Sequence, residues 1–324
     1  MKKKFKVLTL SAMLFALCSF AKAQQAKVYH VGVILQGRPY YDAINGLRDG
    51  LKELRLTEGK DFVLEIRDAK GDLKEVEEAA RNFEHDKANM IYALTTSAVI
   101  AVKNVSSQLP IVFAVGSDPV ASGLVQSFVK PGGRLTGIHF SATDLTGKRL
   151  EILKEMLPKA RRVLTIYNPN NRAAAEATAL ARQAGKQFGV QVVERHATSV
   201  EELRQVLGAL KTKEADAYFY ISDAMVVGQA QVIIDTAKAK KLPTMFHERS
   251  LVTNGALASY GVGYHEVGRM SARYVQRILA GTSPKDLAVE TVHKLELVFN
   301  LQTAREIGLT IPPNLLARAD KVIR

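Results

Sequence analysis

Hydroxyl, amide and aromatic side chains recur in this chain just after short apolar runs. In the first half such turns are Gln36 to Tyr41, Thr95 to Ser97 and Gly116 to Asp118. In the second half they are Asn168 to Asn171, Ser222 to Asp223 and His247 to Arg249. From these, the candidate ligand contacts are Gln36, Tyr41, Thr96, Ser97, Ser117, Asp118, Asn168, Asp223, His247 and Glu248. The residue types suit capture of a small molecule. Thr96 and Ser97 open a helix, where hydroxyls and free backbone N–H groups can hold a carboxylate or act as plain N-caps. Asp118 is likewise an N-cap or a ligand group. Asp223 and Glu248 can accept from a ligand ammonium or stand as solvated loop charges. Tyr40 or Tyr41 can stack on an apolar ligand or pack at a rim. Asn168 precedes Pro169, a common turn pair.

Signatures of catalysis are scarce. There is no G-x-S-x-G, no H-E-x-x-H and no phosphate-cradling G-x-x-x-x-G-K-[ST]. The seven histidines show no paired metal spacing. The expectation is therefore no catalytic residue, no metal and no cofactor.

The elements that must position these turns alternate strand and helix. Apolar runs at Val28 to Leu35, Phe62 to Ile66, Met90 to Leu94 and Ile111 to Val115 read as strands, with amphipathic helical stripes between them. After Asp118, Val120, Leu124 and Val125 predict one more helix, ended by Pro131, Gly132 and Gly133. The series then restarts. Strands are expected at Arg162 to Tyr167, Val190 to Glu194, Ala217 to Ile221 and Pro243 to Phe246, with a helix from the Ser222 turn to about Lys240 and a capping box at Ser199 and Glu202. Glu65 to Ala69 matches Val193 to Ala197, Tyr92 to Ser97 matches Tyr218 to Asp223, and Leu109-Pro110-Ile111 matches Leu242-Pro243-Thr244. The offsets of 128, 126 and 133 residues are close to constant, which favours a structural repeat. Two similar lobes joined by strands would enclose a cleft. Candidate crossings are Leu135 to His139, Ala256 to Val262 and Leu295 to Asn300.

The N-terminus bounds the compartment. MKKKFK followed by the apolar Val7 to Phe20 and by Ala21-Lys22-Ala23 reads as a signal peptide over residues 1–23, cleaved after Ala23. Lipidation at Cys18 is the alternative, although Leu17 is larger than a lipobox prefers. Cys18 is the only cysteine of the 324 residues, so the exported chain would use no disulfide or thiol. Subtracting Lys2, Lys3, Lys4, Lys6 and Lys22 from the formal charge of +13 leaves +8, a solvated basic surface. No basic run interleaved with aromatics points to nucleic acid. No later segment is long and apolar enough to span a membrane.

The stretch PIVFAVGSDPVASGLVQSFVKPGGRLTGI, starting at Pro110, resembles a hallmark of the ABC-transporter substrate-binding family that includes tryptophan- and other aromatic amino-acid-binding proteins. The resemblance extends to Gly46 to Gly59, Gly147 to Glu155, Tyr167-Asn168-Pro169, Gly255 to Ala258 and Ile307 to Ile323. It implies a type I periplasmic-binding-protein fold: α/β, two lobes, each a parallel sheet flanked by helices, and three crossover strands. Lobe 1 is expected to hold residues 24–139 and 258–292, lobe 2 residues 140–257 and 293–324. The resemblance also implies a periplasmic protein that captures a small molecule by hinge closure and delivers it to a membrane permease. A monomer that binds an amino acid or organic acid, possibly aromatic, is expected. A sensory binding protein or an exported enzyme on the same fold are the alternatives. Departures occur at Thr96-Ser97-Ala98-Val99, Ser222-Asp223-Ala224 and His247-Glu248-Arg249, so the scaffold carries over more fully than the ligand contacts.

Overall fold

The computed structural model describes residues 28–211 and 213–324. The expected signal peptide, its cleavage after Ala23 and the Cys18 alternative lie outside them. Two sheets organise the chain. The first contains β1 (Tyr29–Leu35), β2 (Phe62–Asp68), β3 (Met90–Leu94), β4 (Ile111–Val115), β5 (Leu135–His139) and β11 (Glu290–Thr291). The second contains β6 (Arg162–Tyr167), β7 (Gln191–His196), β8 (Ala217–Phe219), β9 (Thr244–Phe246), β10 (Ala258–Gly261), β12 (Glu296–Asn300) and β13 (Lys321–Ile323). Between them run α1 (Tyr41–Glu53), α2 (Leu73–His85), α3 (Thr96–Val105), α4 (Thr146–Met156), α5 (Arg172–Phe188), α6 (Val200–Ala209), α7 (Ala224–Gly228), α8 (Ala230–Ala239), α9 (Arg249–Thr253), α10 (Tyr264–Leu279), α11 (Leu301–Ile307) and α12 (Pro313–Ala317). Among the described residues no helix is long and apolar enough to cross a membrane.

The repeat seen in the sequence is a repeat in space. The first sheet contains the order β2-β1-β3-β4-β5, and the second contains β7-β6-β8-β9-β10. The Leu-Pro pairs sit in equivalent places. Proline has no N–H to give a ladder, so each stands just before its strand and contributes only its carbonyl. Pro110 O accepts from Ile91 N at 2.9 Å, and Pro243 O accepts from Tyr218 N at 2.8 Å. β3 and β4 are buried along all five residues each, as continuous apolar runs covered on both faces should be.

The described pairs of the first sheet are all parallel. In the second, β12 runs antiparallel to β10. The reason is the path of the chain. It leaves the second lobe after β10 and re-enters it along β12, so the two neighbours carry opposite directions. The expected crossing strands are themselves sheet members, and the passages between lobes are the segments 140–145, 262–263 and 292–295 that follow β5, β10 and β11. Ala258–Gly261 accordingly pairs within the second sheet rather than joining the first lobe.

The helix expected after Asp118 does not form. Asp118 does cap a turn, accepting from Val120 N at 2.7 Å and Ala121 N at 3.1 Å. The turn closes through Ser122 N to Asp118 O and then stops at Gly123, whose φ of 68° is left-handed. Leu124 and Val125 are buried without being helical. The helix expected from Ser222 to Lys240 is broken at Gln229 into α7 and α8. At Ser199 the hydroxyl accepts from Glu202 N, but the Glu202 carboxylate reaches Thr198 N rather than the Ser199 N–H.

One helix pair sets up the site. α1 and α10 come into near backbone contact because glycines line their seam. A Cβ on Gly46 would lie 1.9 Å from His265 O, one on Gly50 2.6 Å from Arg269 O, and one on Gly268 1.8 Å from Ala43 O. Ion pairs His265–Asp49 at 2.9 Å and Arg269–Glu53 at 3.0 Å flank the seam. They are exposed and add little.

Candidate ligand-binding cleft

Because α1 and α10 lie so close, the residues at their N-terminal ends meet. Tyr40 immediately precedes α1 and Tyr264 begins α10. Their ring centroids are 5.0 Å apart, and Phe140, from the first inter-lobe passage, stands edge-on to Tyr264 at 5.5 Å. Tyr264 Oη and His247 Nε2 are 2.6 Å apart. Tyr220 stacks on the other side of His247 at 4.4 Å. Its hydroxyl accepts from Asp223 N at 2.8 Å and donates to Asp223 O at 2.9 Å, which fixes the ring at the end of β8. The result is an aromatic wall contributed by both lobes.

Hydroxyls and amides face it. Thr95 caps α3, accepting from Ala98 N at 3.3 Å, and holds a left-handed φ of 83°. Such a conformation is strained for a β-branched residue. Gln36 Nε2 braces the turn by donating to Thr95 Oγ1 at 2.7 Å and Ser97 Oγ at 3.1 Å. Across the cleft Asn171 caps α5, accepting from Ala173 N. Together these groups line a tight inner chamber of about 20 Å³ that includes Tyr40, Ser97, Phe140, Asn171, Tyr220, Ser222, His247 and Tyr264. A second, outer space of about 440 Å³ shares Thr96, Ser97, Asn171 and Ala173 with it and adds Gln36, Asn168, Asp223 and Met225.

Six of the expected contacts therefore border the cleft: Thr96, Ser97 and His247 on the inner chamber, and Gln36, Asn168 and Asp223 on the outer space. Four do not. Tyr41 points outward, 39 % exposed, whereas Tyr40 is buried; α1 begins between them and turns its first residue away from the cleft. Ser117 is buried, its N–H given to Thr96 Oγ1 at 3.2 Å and its hydroxyl paired with Thr143 Oγ1 at 2.9 Å. Asp118 is occupied capping Val120 and Ala121. Glu248 caps α9 through Ser250 N at 2.7 Å. The sequence reading singled out neither Phe140, Tyr220, Asn171 nor Tyr264 as a ligand contact. It placed Tyr220 inside a strand and gave Tyr264 no role, though both sit at element ends, where cleft residues gather.

The electrostatics of the wall are unusual. Among the described residues lining the inner chamber none is Asp, Glu, Lys or Arg. Burial, with Arg149 nearby, holds the His247 imidazole well below its ordinary range, so it is neutral. Burial pushes Asp223 up, against the backbone N–H groups of Asn168 and Val226 that it accepts from. Burial also pushes Glu248 up to about 7, with the Ser250 donors pulling the other way. That predicts a pH effect. Between the ordinary 4.5 and about 7, the unfolded chain releases this proton while the folded chain keeps it, so stability falls as pH rises through that window. Glu248→Gln should raise the unfolding free energy at pH 8 by about 1–2 kcal/mol and leave it nearly unchanged at pH 4. Urea melts of both proteins at the two pH values test this, and an equal effect at both would refute it.

Comparison with known proteins agrees with this architecture. The family model for ABC transporter substrate binding protein matches residues 29–323. The chain belongs to that family. Among relatives, it is 27% identical to a tyrosine-binding protein of Clostridioides difficile (strain R20291), over 89% of this chain and 83% of the other. A Vibrio cholerae conserved domain protein superposes with a TM-score of 0.84 at 29% identity, covering 91% of this chain and all of that one. A Streptococcus pneumonia ABC domain in complex with L-Trp superposes with a TM-score of 0.82 at 21% identity, over 92% of this chain and 100% of that one. This substrate-binding protein thus shares the two-lobed fold of a ligand-loaded neighbour, and its inner chamber lies between its two lobes.

Proposed function

We propose that this substrate-binding protein is the capture component of an ABC importer: exported, it closes two lobes over one small aromatic molecule and presents the closed form to a membrane permease. The observation that carries this is the inner chamber itself, whose rings and hydroxyls come from both lobes and from a passage between them. An aromatic ligand gains from ring stacking against Tyr40, Tyr220 and Tyr264. Its polar end meets the start of α3, where N–H groups and Ser97 await an acceptor. The tyrosine-binding relative and the L-Trp-bound neighbour support a ligand of this size. Export rests on the lysine-rich leader with its Ala21-Lys22-Ala23 end.

Contact at the cleft mouth supports closure. A Cβ on Gly37 would lie 2.6 Å from Gly228 Cα, and one on Gly71 2.9 Å from Met225 Cα, so the two lobes touch backbone to backbone. A thermal-shift series on the mature chain, with aromatic amino acids, their des-amino acids and aliphatic controls, is the test. At least one aromatic compound should raise Tm by several degrees at a hundredfold excess over its Kd. No response to any aromatic compound would remove the reading.

A further inference from the structure

The inner chamber offers donors and no acid. His247 lines it, is 3 % exposed, and its Nδ1 has no hydrogen-bond partner. Behind the wall lies Arg149 of α4, fully buried. Its Nη2 donates to Ala142 O at 2.7 Å and Thr146 Oγ1 at 3.1 Å, while Nε and Nη1 have no partner. Burial brings this guanidinium down to about 10, so it stays charged at neutral pH, and its field reaches Tyr220 and Tyr264 of the chamber wall. The carboxylate that acts on it is Asp144, on the exposed surface. A buried cation with no buried counter-ion is costly, and an anion supplied from outside the chain relieves that cost.

Among the described residues no carboxylate lines the chamber, although Glu248 Oε1, buried outside that lining, has no partner. Asp223 accepts from Asn168 N and Val226 N, and Glu248 from Ser250 N. Two helices of ten and seventeen residues, α3 and α5, begin at the chamber and turn their positive ends toward it. An amino acid placed here finds donors for its carboxylate and no lining carboxylate for its ammonium. Tyrosine faces do attract cations, and Asp223 and Glu248 act on these rings from behind, but burial pushes both carboxyls toward their neutral forms while Arg149 keeps its charge.

We infer that the chamber selects an aromatic carboxylate without a free ammonium, an aryl-substituted alkanoic, hydroxy or oxo acid, over the corresponding amino acid. This rests on the reading of the cleft as a ligand site. The ring lies among Tyr40, Tyr220 and Tyr264, and the carboxylate faces the start of α3 and the field of Arg149.

The test uses three probes that share one ring: 3-(4-hydroxyphenyl)propionate, L-tyrosine and tyramine, each titrated calorimetrically into the ligand-stripped mature chain. The propionate should bind at least about tenfold tighter than tyrosine, with tyramine weakest. If tyrosine binds as tightly or tighter, this inference fails while the importer reading stands. If none of the three binds, and no other aromatic compound raises Tm, the importer reading itself fails. The role of Arg149 is read separately with Arg149→Met. That variant should lose about tenfold affinity for the propionate and almost none for its neutral amide. An equal loss for both would overturn the electrostatic role. Should Arg149→Met fail to fold, the propionate-to-amide ratio of the unmodified chain decides instead, and a ratio near one overturns it.

Discussion

Replacing Gly268 by alanine is expected to lower the unfolding free energy by about 3 kcal/mol or more and, in the same variant, to weaken ligand binding. The added Cβ would sit 1.8 Å from Ala43 O and 2.8 Å from Leu47 N, both backbone atoms of α1. No side chain can rotate away to make room, so α1 and α10 must separate. At roughly 2 °C per kcal/mol for a chain of this size, Tm should fall by about 6 °C. The second consequence distinguishes this seam from an ordinary overpacked core. Tyr40 and Tyr264 stand at the N-terminal ends of these two helices, and their 5.0 Å ring contact depends on the helices' approach. Binding should therefore weaken even at temperatures where the variant is fully folded. Calorimetric melting together with titration at 10 °C measures both. A Tm within 1 °C of the parent would show that the two helices can part at no cost and would refute the seam's role. Gly208→Ala is the control, since nothing lies within 4 Å of a Cβ there.

Much of the scaffold was legible for a simple reason. Parallel strands buried on both faces must be continuous apolar runs, and strand ends must be followed by polar turns, so both sheets wrote themselves into the sequence. Proline before a strand is a second local signal, and the two Leu-Pro pairs marked equivalent strands because each gives a carbonyl and no N–H. The failed helix after Asp118 shows the limit. Val120, Leu124 and Val125 fit a helical stripe, but one left-handed glycine at position 123 outweighed it.

The site was harder because its shape is made by long-range packing. Tyr40 and Tyr41 are equivalent in composition, and only the start of α1 decides which faces inward. Tyr264 meets Tyr40 from 224 residues away. A clue was present: Gly46 and Gly50, and Gly268 with Ala272, are four apart and so share a helix face, which marks a close helix crossing. Arg149 had its own signal. It falls on the buried stripe of α4 with Thr146, Leu150 and Leu153, where a cation is out of place unless something uses it.

Substitution at Gly228 is expected to separate closure from folding. Gly228 ends α7 with an ordinary backbone conformation, so a side chain there is not strained in itself. Yet a Cβ at this position would lie 2.7 Å from Gln36 O of the opposite lobe. Gly37, its partner across the cleft, has a φ of 119° and cannot yield without leaving the region that favours glycine. A larger residue at 228 thus meets backbone on both sides when the lobes are shut, and meets solvent when they part. Alanine should weaken ligand affinity about tenfold and leucine about a hundredfold, which correspond to roughly 1.4 and 3 kcal/mol of penalty on the closed form alone. The melting temperature of the ligand-free protein should be unchanged, since an open form carries no penalty. Scattering with saturating ligand gives the geometric half of the test. The parent should contract on binding, and Gly228→Leu should contract less at equal occupancy. Unaltered affinity in the leucine variant would mean that ligand is held without the two glycines touching, and a cleft that binds while open cannot be the shutting device proposed for this protein.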